Sequence, residues 1–140
     1  MYEMPKPARE LLTSMLGAPF AQGLAAAAAQ DGFGSSLARL AVDFAFTDVW
    51  NRPGLDRRSR SIMTMGMLLA MGLPNEFKNH VRAGLGNGLT PREIEELIVH
   101  ASVYVGLPLA GEAMQAATAV LREKGLIGTD TKTAQERGIL

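Results

Sequence analysis

The stretch Thr90-Pro91-Arg92-Glu93-Ile94-Glu95-Glu96-Leu97-Ile98-Val99-His100-Ala101-Ser102-Val103-Tyr104-Val105 decides the fold class. Its opening carries three helix-start signals. Thr90 is an N-cap residue, Pro91 falls at the first helical position where a missing N–H does no harm, and Glu93 closes a capping box. Gly106 and Pro108 then break the chain. At 100° per residue, Glu93, Glu96, His100 and Tyr104 fall within an arc of about 80°. Most of the remaining circumference is apolar: Ile94, Leu97, Ile98, Val99, Ala101, Val103 and Val105. A helix apolar nearly all round is usually buried, and unpaired polar groups on it would cost several kcal/mol. The stripe therefore reads in one of two ways. It is a wall of an active-site pocket, or it is a solvated edge whose glutamates favour the positive end of the helix dipole.

Outward from this helix, Pro and Gly punctuate segments of 3.6-residue period, and β-branched alternation is missing. The pattern predicts helices at about 8–16, 20–30, 36–49, 57–71, 74–85 and 109–124 besides the one after Thr90. Ser35 or Ser36 is the expected cap of the third, with Leu37, Leu40, Ala41 and Phe44 as its apolar stripe. Asp56 caps the fourth, Gly72 and Pro74 stop it, and Gly86-Asn87-Gly88 ends the fifth. The expectation is an all-α, single-domain helical bundle of about six to seven helices over residues 1–140, with a polar, loose tail from Gly125 onward. The helices before and after the Gly86-Asn87-Gly88 turn are expected to be antiparallel neighbours.

The composition excludes several classes. One domain's worth of chain, 140 residues, is 47% apolar and 20% charged, as in ordinary globular proteins. Fourteen basic residues balance fourteen acidic ones, which argues against a general affinity for nucleic acid and does not oppose self-association. Without cysteine, disulfides, thiolate nucleophiles and Cys-based metal sites are excluded. Two histidines and no HExxH leave no zinc set. The longest apolar-rich stretch, Ile62–Leu73, is far shorter than the roughly 20 residues of a membrane span. The N-terminus shows no secretory pattern, so the cytoplasm is the expected location.

Two further groups of residues bear on chemistry. His80 shares a face with Leu73, Phe77 and Gly84, and Glu76 lies one turn earlier. Such a pair can tune an imidazole for proton transfer near neutral pH; the plainer reading is a hydrogen-bonded structural histidine. Arg52, Arg57, Arg58 and Arg60 gather around Pro53-Gly54-Leu55-Asp56. Arginines in a first helical turn oppose the macrodipole, so either carboxylate anchoring or surface and subunit salt bridges account for them. Met63, Met67 and Met71 form an i, i+4, i+8 stripe, joined by Met65 and Leu68, that reads as core packing or a subunit seam. The apolar surface on these helices exceeds what one small core readily hides, which predicts a homo-oligomer.

The segment Val49-Trp50-Asn51-Arg52-Pro53-Gly54-Leu55-Asp56-Arg57-Arg58-Ser59-Arg60-Ser61 resembles the W-x-R-P-G-L-D-x-R-x-R-S signature of carboxymuconolactone decarboxylases. Glu76-Phe77-Lys78-Asn79-His80 is similar to that family's E-L-x-x-H, Asn87–Glu96 to its N-G-V-T-x-x-E-I-x-E, and Tyr104-Val105-Gly106-Leu107-Pro108 to its Y-C-G-V-P. The likeness covers about 37–122 in the right order. The resemblance implies an alkylhydroperoxidase-D-like all-α fold, a trimer or hexamer, and decarboxylation of a lactone carboxylic acid in aromatic catabolism without metal or organic cofactor. In the peroxidase branch a C-x-x-C-x-x-x-H motif acts; here Leu73 and Glu76 occupy the cysteine positions, so thiol peroxidase chemistry is excluded. Val105 stands where many members carry cysteine.

Carried onto these residues, the resemblance implies that Arg58 or Arg60, near Trp50, anchors a substrate carboxylate. His80 donates the proton, positioned by Glu76 or Glu96, and His100 and Tyr104 donate to the lactone oxygens. The alternatives are another cofactor-free reaction of secondary metabolism on the same scaffold, or a non-catalytic ligand-binding or assembly protein. A cofactor-using oxidoreductase is the weakest reading, because no Gly-rich dinucleotide fingerprint is present.

Overall fold

The structure is a computed structural model that describes residues 1–133 and 135–139. Among these the regular elements are all helical: α1 (Lys6–Leu16), α2 (Ala18–Ala29), α3 (Ser35–Leu40, continuing as a π-helix over Ala41–Val49), α4 (Arg57–Met71), α5 (Pro74–Gly86), α6 (Pro91–Val105) and α7 (Leu107–Glu123). The all-α expectation and its seven helical segments are borne out. The chain forms two compact units, residues 1–60 and 61–140.

In the first unit, α1 buries Ala8, Leu11, Leu12 and Met15, one face at helical spacing. Gly17, at φ +91°, turns the chain into α2. The core comprises Met4, Ala8, Leu12, Ala21, Ala28 and Val42. The alanines of α2 keep side chains short where it meets α1 and α3. Neither Ser35 nor Ser36 is the cap of α3. Gly34 is, at φ +93°, a left-handed turn conformation that glycine enters without strain, and the Ser35 hydroxyl donates to Gly32 O at 2.8 Å. From Ala41 the hydrogen bonds widen to i→i−5, as Trp50 N–H to Ala45 O shows at 2.9 Å. The Asn51 amide closes this segment by donating to Phe46 O and Thr47 O. Leu37, Leu40 and Phe44 lie exposed on this chain.

In the second unit, Met65, Leu69, Phe77, Val81, Leu89, Ile94, Ile98 and the small residues of α7 form one core. Ala110, Ala113, Ala116 and Ala117 let both α5 and α6 come close to α7. α5 and α6, expected as antiparallel neighbours, make their extensive backbone approaches to α7 and not to each other, because its alanine face admits a helix on either side. Gly84 is closely packed. A Cβ there would stand 3.0 Å from Leu89 Cδ1 and 3.4 Å from Met65 Sδ. The Asn87 amide donates to the buried Ser61 hydroxyl at 2.9 Å, tying the end of α5 to α4. Asp56 caps α4 as expected, accepting from Ser59 N–H and Ser59 Oγ at 2.8 Å each. Those hydrogen bonds, the backbone one first, hold its carboxyl below the usual carboxylate range. Past Gly125, Glu136 accepts both arms of the Arg122 guanidinium at 2.9 Å and caps Thr133 N–H. The Arg122 pairing, with Thr133 second, brings the Glu136 carboxyl down to about 2.

Two apolar stripes are only partly buried on this chain: α6 departs from the buried expectation, and the α4 methionines depart from core packing but not from a subunit seam. On α6 only Ile94 and Ile98 are fully buried, while Val103 and Tyr104 are each 78% exposed. On α4, Met65 is fully buried, but Met63 is 60% exposed and Met67 and Met71 are exposed with it. A single chain gives each helix one packed face, and periodicity does not tell which of two apolar faces that is.

Candidate active site

The capping box that opens α6 is formed in both directions. Glu93 N–H donates to Thr90 Oγ1 at 3.2 Å, and Thr90 N–H donates to Glu93 Oε2 at 2.9 Å. The box fixes where the helix starts, and the burial of Ile94 and Ile98 in the core turns the titratable stripe away from it. An open groove of about 680 Å³ lies between α4 and α6. Ile62 and Gly66 line it from α4, and Arg92, Glu93, Glu96, Leu97, His100 and Ala101 line it from α6, with Thr90 at the cap. Its lining is aliphatic from both helices, with the polar groups supplied by α6 and its cap, a combination found in small-molecule sites.

Of the residues singled out in the sequence, the groove gathers Glu93, Glu96 and His100. Tyr104 lies one turn further and packs against His100 in a tilted arrangement, ring centroids 5.4 Å apart at 48°. Glu96 also pairs with Arg92 at 3.9 Å. Arg92 is the groove's own cation. Sequence reasoning passed over it as part of the helix start, because a surface arginine in a first turn carries no distinguishing pattern. Ile62, Gly66, Leu97 and Ala101 were missed as lining residues for the same reason: which apolar side chains border an opening depends on how two helices pack.

His80 stands on α5, half-buried and outside the residues lining this groove. Burial lowers its pKa below the usual histidine range, and the nearby Glu76 carboxylate opposes that only in part. Glu76 is exposed and accepts a hydrogen bond from the Asn79 amide at 3.2 Å. Trp50, Arg58 and Arg60 belong to the first unit, His80 and the α6 stripe to the second. Arg58 is exposed on the first turn of α4, and Trp50 is half-buried. The Arg60 guanidinium donates to Leu55 O and Arg52 O, both at 3.0 Å, so it braces the turn before α4. Among the described residues no group of three or more His, Asp or Glu side chains is placed to hold a metal ion.

With this geometry in place, comparison with known proteins gives a consistent picture. Residues 36–119 match the model of the carboxymuconolactone decarboxylase family. The chain is 46% identical over 83 residues to a 4-carboxymuconolactone decarboxylase of Acinetobacter baylyi, covering 59% of this chain and 62% of that one. It is 43% identical over 75 residues to a nitrosuccinic acid decarboxylase of Metarhizium robertsii, covering 54% and 52%. It is 36% identical over 81 residues to an uncharacterized 15.0 kDa protein of Paracoccus denitrificans, covering 56% and 60%. The alignments thus span between about half and three fifths of these relatives' lengths. The matched segment takes in the Trp50–Ser61 signature, His80 and the whole groove-lining face of α6, and on that ground the chain belongs to the carboxymuconolactone decarboxylase family.

Proposed function

We propose that the protein is a carboxy-lyase that removes CO2 from a lactone carboxylic acid of the 4-carboxymuconolactone type, using side chains alone. The observation that carries this reading is the groove between α4 and α6, where Arg92, Glu96 and His100 edge an otherwise aliphatic cleft. The 4-carboxymuconolactone decarboxylase relative supports the substrate class. In such an acid the departing carboxylate is γ to an unsaturated lactone carbonyl. The carbon–carboxylate bond breaks, CO2 leaves, and its electron pair spreads as a dienolate onto the lactone oxygen. A proton then adds at the α-carbon to give the enol-lactone. The protein has to hold the second carboxylate, stabilise the oxyanion and deliver one proton.

Arg92 holds the retained carboxylate. His100, oriented by Tyr104, donates to the lactone oxygen, and Glu96 keeps its orientation. For His80, with Glu76 one turn away, to deliver the proton, the homo-oligomer must bring it to a groove that its own chain does not line with it. The loss of one oxyanion donor typically costs about 2.7–4 kcal/mol of transition-state stabilisation. The segment matched by the family spans both compact units, which supports one functional domain. Exposed Phe44, Met63, Met67, Met71, Val103 and Leu107 support a homo-oligomer, a trimer or hexamer. No helix among the described residues is long and apolar enough to cross a membrane, and the charge balance offers nothing for nucleic acid, so a small-molecule acid met in the cytoplasm is the partner we assign.

CO2 release from carboxymuconolactone by the purified protein, before and after EDTA, tests the reading. Turnover that survives the chelator is expected. No CO2 from the lactone, or loss of turnover that a divalent metal restores, would overturn it. The nitrosuccinic acid decarboxylase relative makes an open-chain acid the second reading, so nitrosuccinate belongs in the same assay.

A further inference from the structure

Gly66 sits in the interior of α4 without a packing reason to be glycine. A Cβ there would meet no heavy atom within 4 Å, whereas at Gly72 and Gly84 the nearest side-chain atoms stand at 3.3 and 3.0 Å. Glycine inside a helix is unfavourable through its backbone entropy, and no contact within this chain offsets that. The residue lines the same groove as Arg92, Glu96 and His100, one turn after Ile62 and across from Leu97 and Ala101.

We propose that Gly66 is a specificity-determining residue that clears a flat, aliphatic floor for the ring of a cyclic unsaturated acid. The ring lies over Gly66 between Ile62 and Leu97, its retained carboxylate toward Arg92 and its lactone oxygen toward His100. A methyl group at position 66 occupies volume that a flat ring needs, while an open-chain acid bends around it. The inference rests on the groove being the decarboxylation site, and it names the substrate class that the groove selects.

Gly66→Ala and Gly66→Val are measured with carboxymuconolactone and nitrosuccinate. For the lactone, KM should rise about tenfold or more, the range for one methylene against a hydrophobic surface, with kcat within about threefold and the melting midpoint raised for alanine. The ratio of kcat/KM for lactone over nitrosuccinate should fall. An unchanged KM and ratio in a folded variant overturns the role of Gly66 and leaves the decarboxylase reading intact. Because the chain has no cysteine, Gly66→Cys supplies a single thiol for labelling with Ellman's reagent, independently of turnover. Labelling of the native protein that saturating carboxymuconolactone slows at least about tenfold supports the proposal. Labelling that the lactone does not slow overturns it, and so does a thiol that reacts only after the assembly dissociates, since the gap would then belong to a second copy. Protection without any turnover by the unaltered protein keeps Gly66 as the ring's floor and sinks the decarboxylase reading.

Discussion

Replacing His80 by glutamine should lower turnover far more than folding stability, and should flatten two opposed pH trends at once. The proton-transfer role assigned to His80 is worth roughly 10²–10⁴ in rate. A purely structural role predicts instead a stability loss of about 1–3 kcal/mol with near-normal turnover in what remains folded. The pH dependence separates them further. Burial disfavours the imidazolium in the folded chain, with Glu76 opposing in part, so the folded pKa lies below the ordinary 6.5. Above pH 6.5 both states carry a neutral ring and the full stability is present. As pH falls below that value the unfolded chain takes up a proton the folded chain refuses, and stability is lost until pH passes the folded pKa. The slope has a ceiling of about 1.4 kcal/mol per pH unit for one proton, and partial solvent access to His80 keeps it below that. Over the same window the fraction of His80 able to donate rises, so turnover per folded chain should climb while stability declines. Denaturant midpoints from pH 5 to 8, measured beside initial rates, read both trends. A folded His80→Gln protein that keeps most of its turnover and an unaltered pH–rate profile would refute the reasoning and move the donor to His100.

The remaining expectations concern packing and the groove's charge. Gly84→Ala should destabilise by about 1–3 kcal/mol in chemical denaturation, because its methyl would press on Leu89 and Met65; no change would mean that Leu89 yields freely. Arg92→Ala should raise KM for the lactone about tenfold or more with little change in melting point, whereas Arg60→Ala should loosen the 52–56 turn and lower the melting point with KM unchanged. The reverse pattern, read from steady-state kinetics and thermal melts, would return the carboxylate anchor to Arg60.

Helix boundaries were legible because their causes are local. Thr90, Pro91 and Glu93 act within one turn, as do Asp56 with Ser59 and the breaks at Gly72, Gly86-Asn87-Gly88 and Gly106. The titratable stripe on α6 was legible for the same reason, since spacing along one helix places Glu96 and His100 on one face whatever surrounds it. The π-helical run Ala41–Val49 was not legible: a 3.6-residue pattern over nine residues does not distinguish i→i−4 from i→i−5 bonding. Gly34 displaced the serines as a cap because the preceding turn needs a positive φ, a demand made by chain direction and not by the helix.

By itself the sequence determined the all-helical class, where most helices start and stop, the absence of any thiol chemistry, and the signature that places the chain in its family. The tertiary structure decided which face of each helix meets the core. α7, with its alanine face, stands as the common partner of α5 and α6, and Met65 points inward while Met63, Met67 and Met71 point out. It also decided that Arg92 and Gly66 border the groove with Glu96 and His100, while the Arg60 guanidinium holds the turn before α4. The physical reason is range: capping and periodicity act within a few residues of one helix, whereas a groove exists only where side chains from two helices far apart in the chain leave space unfilled.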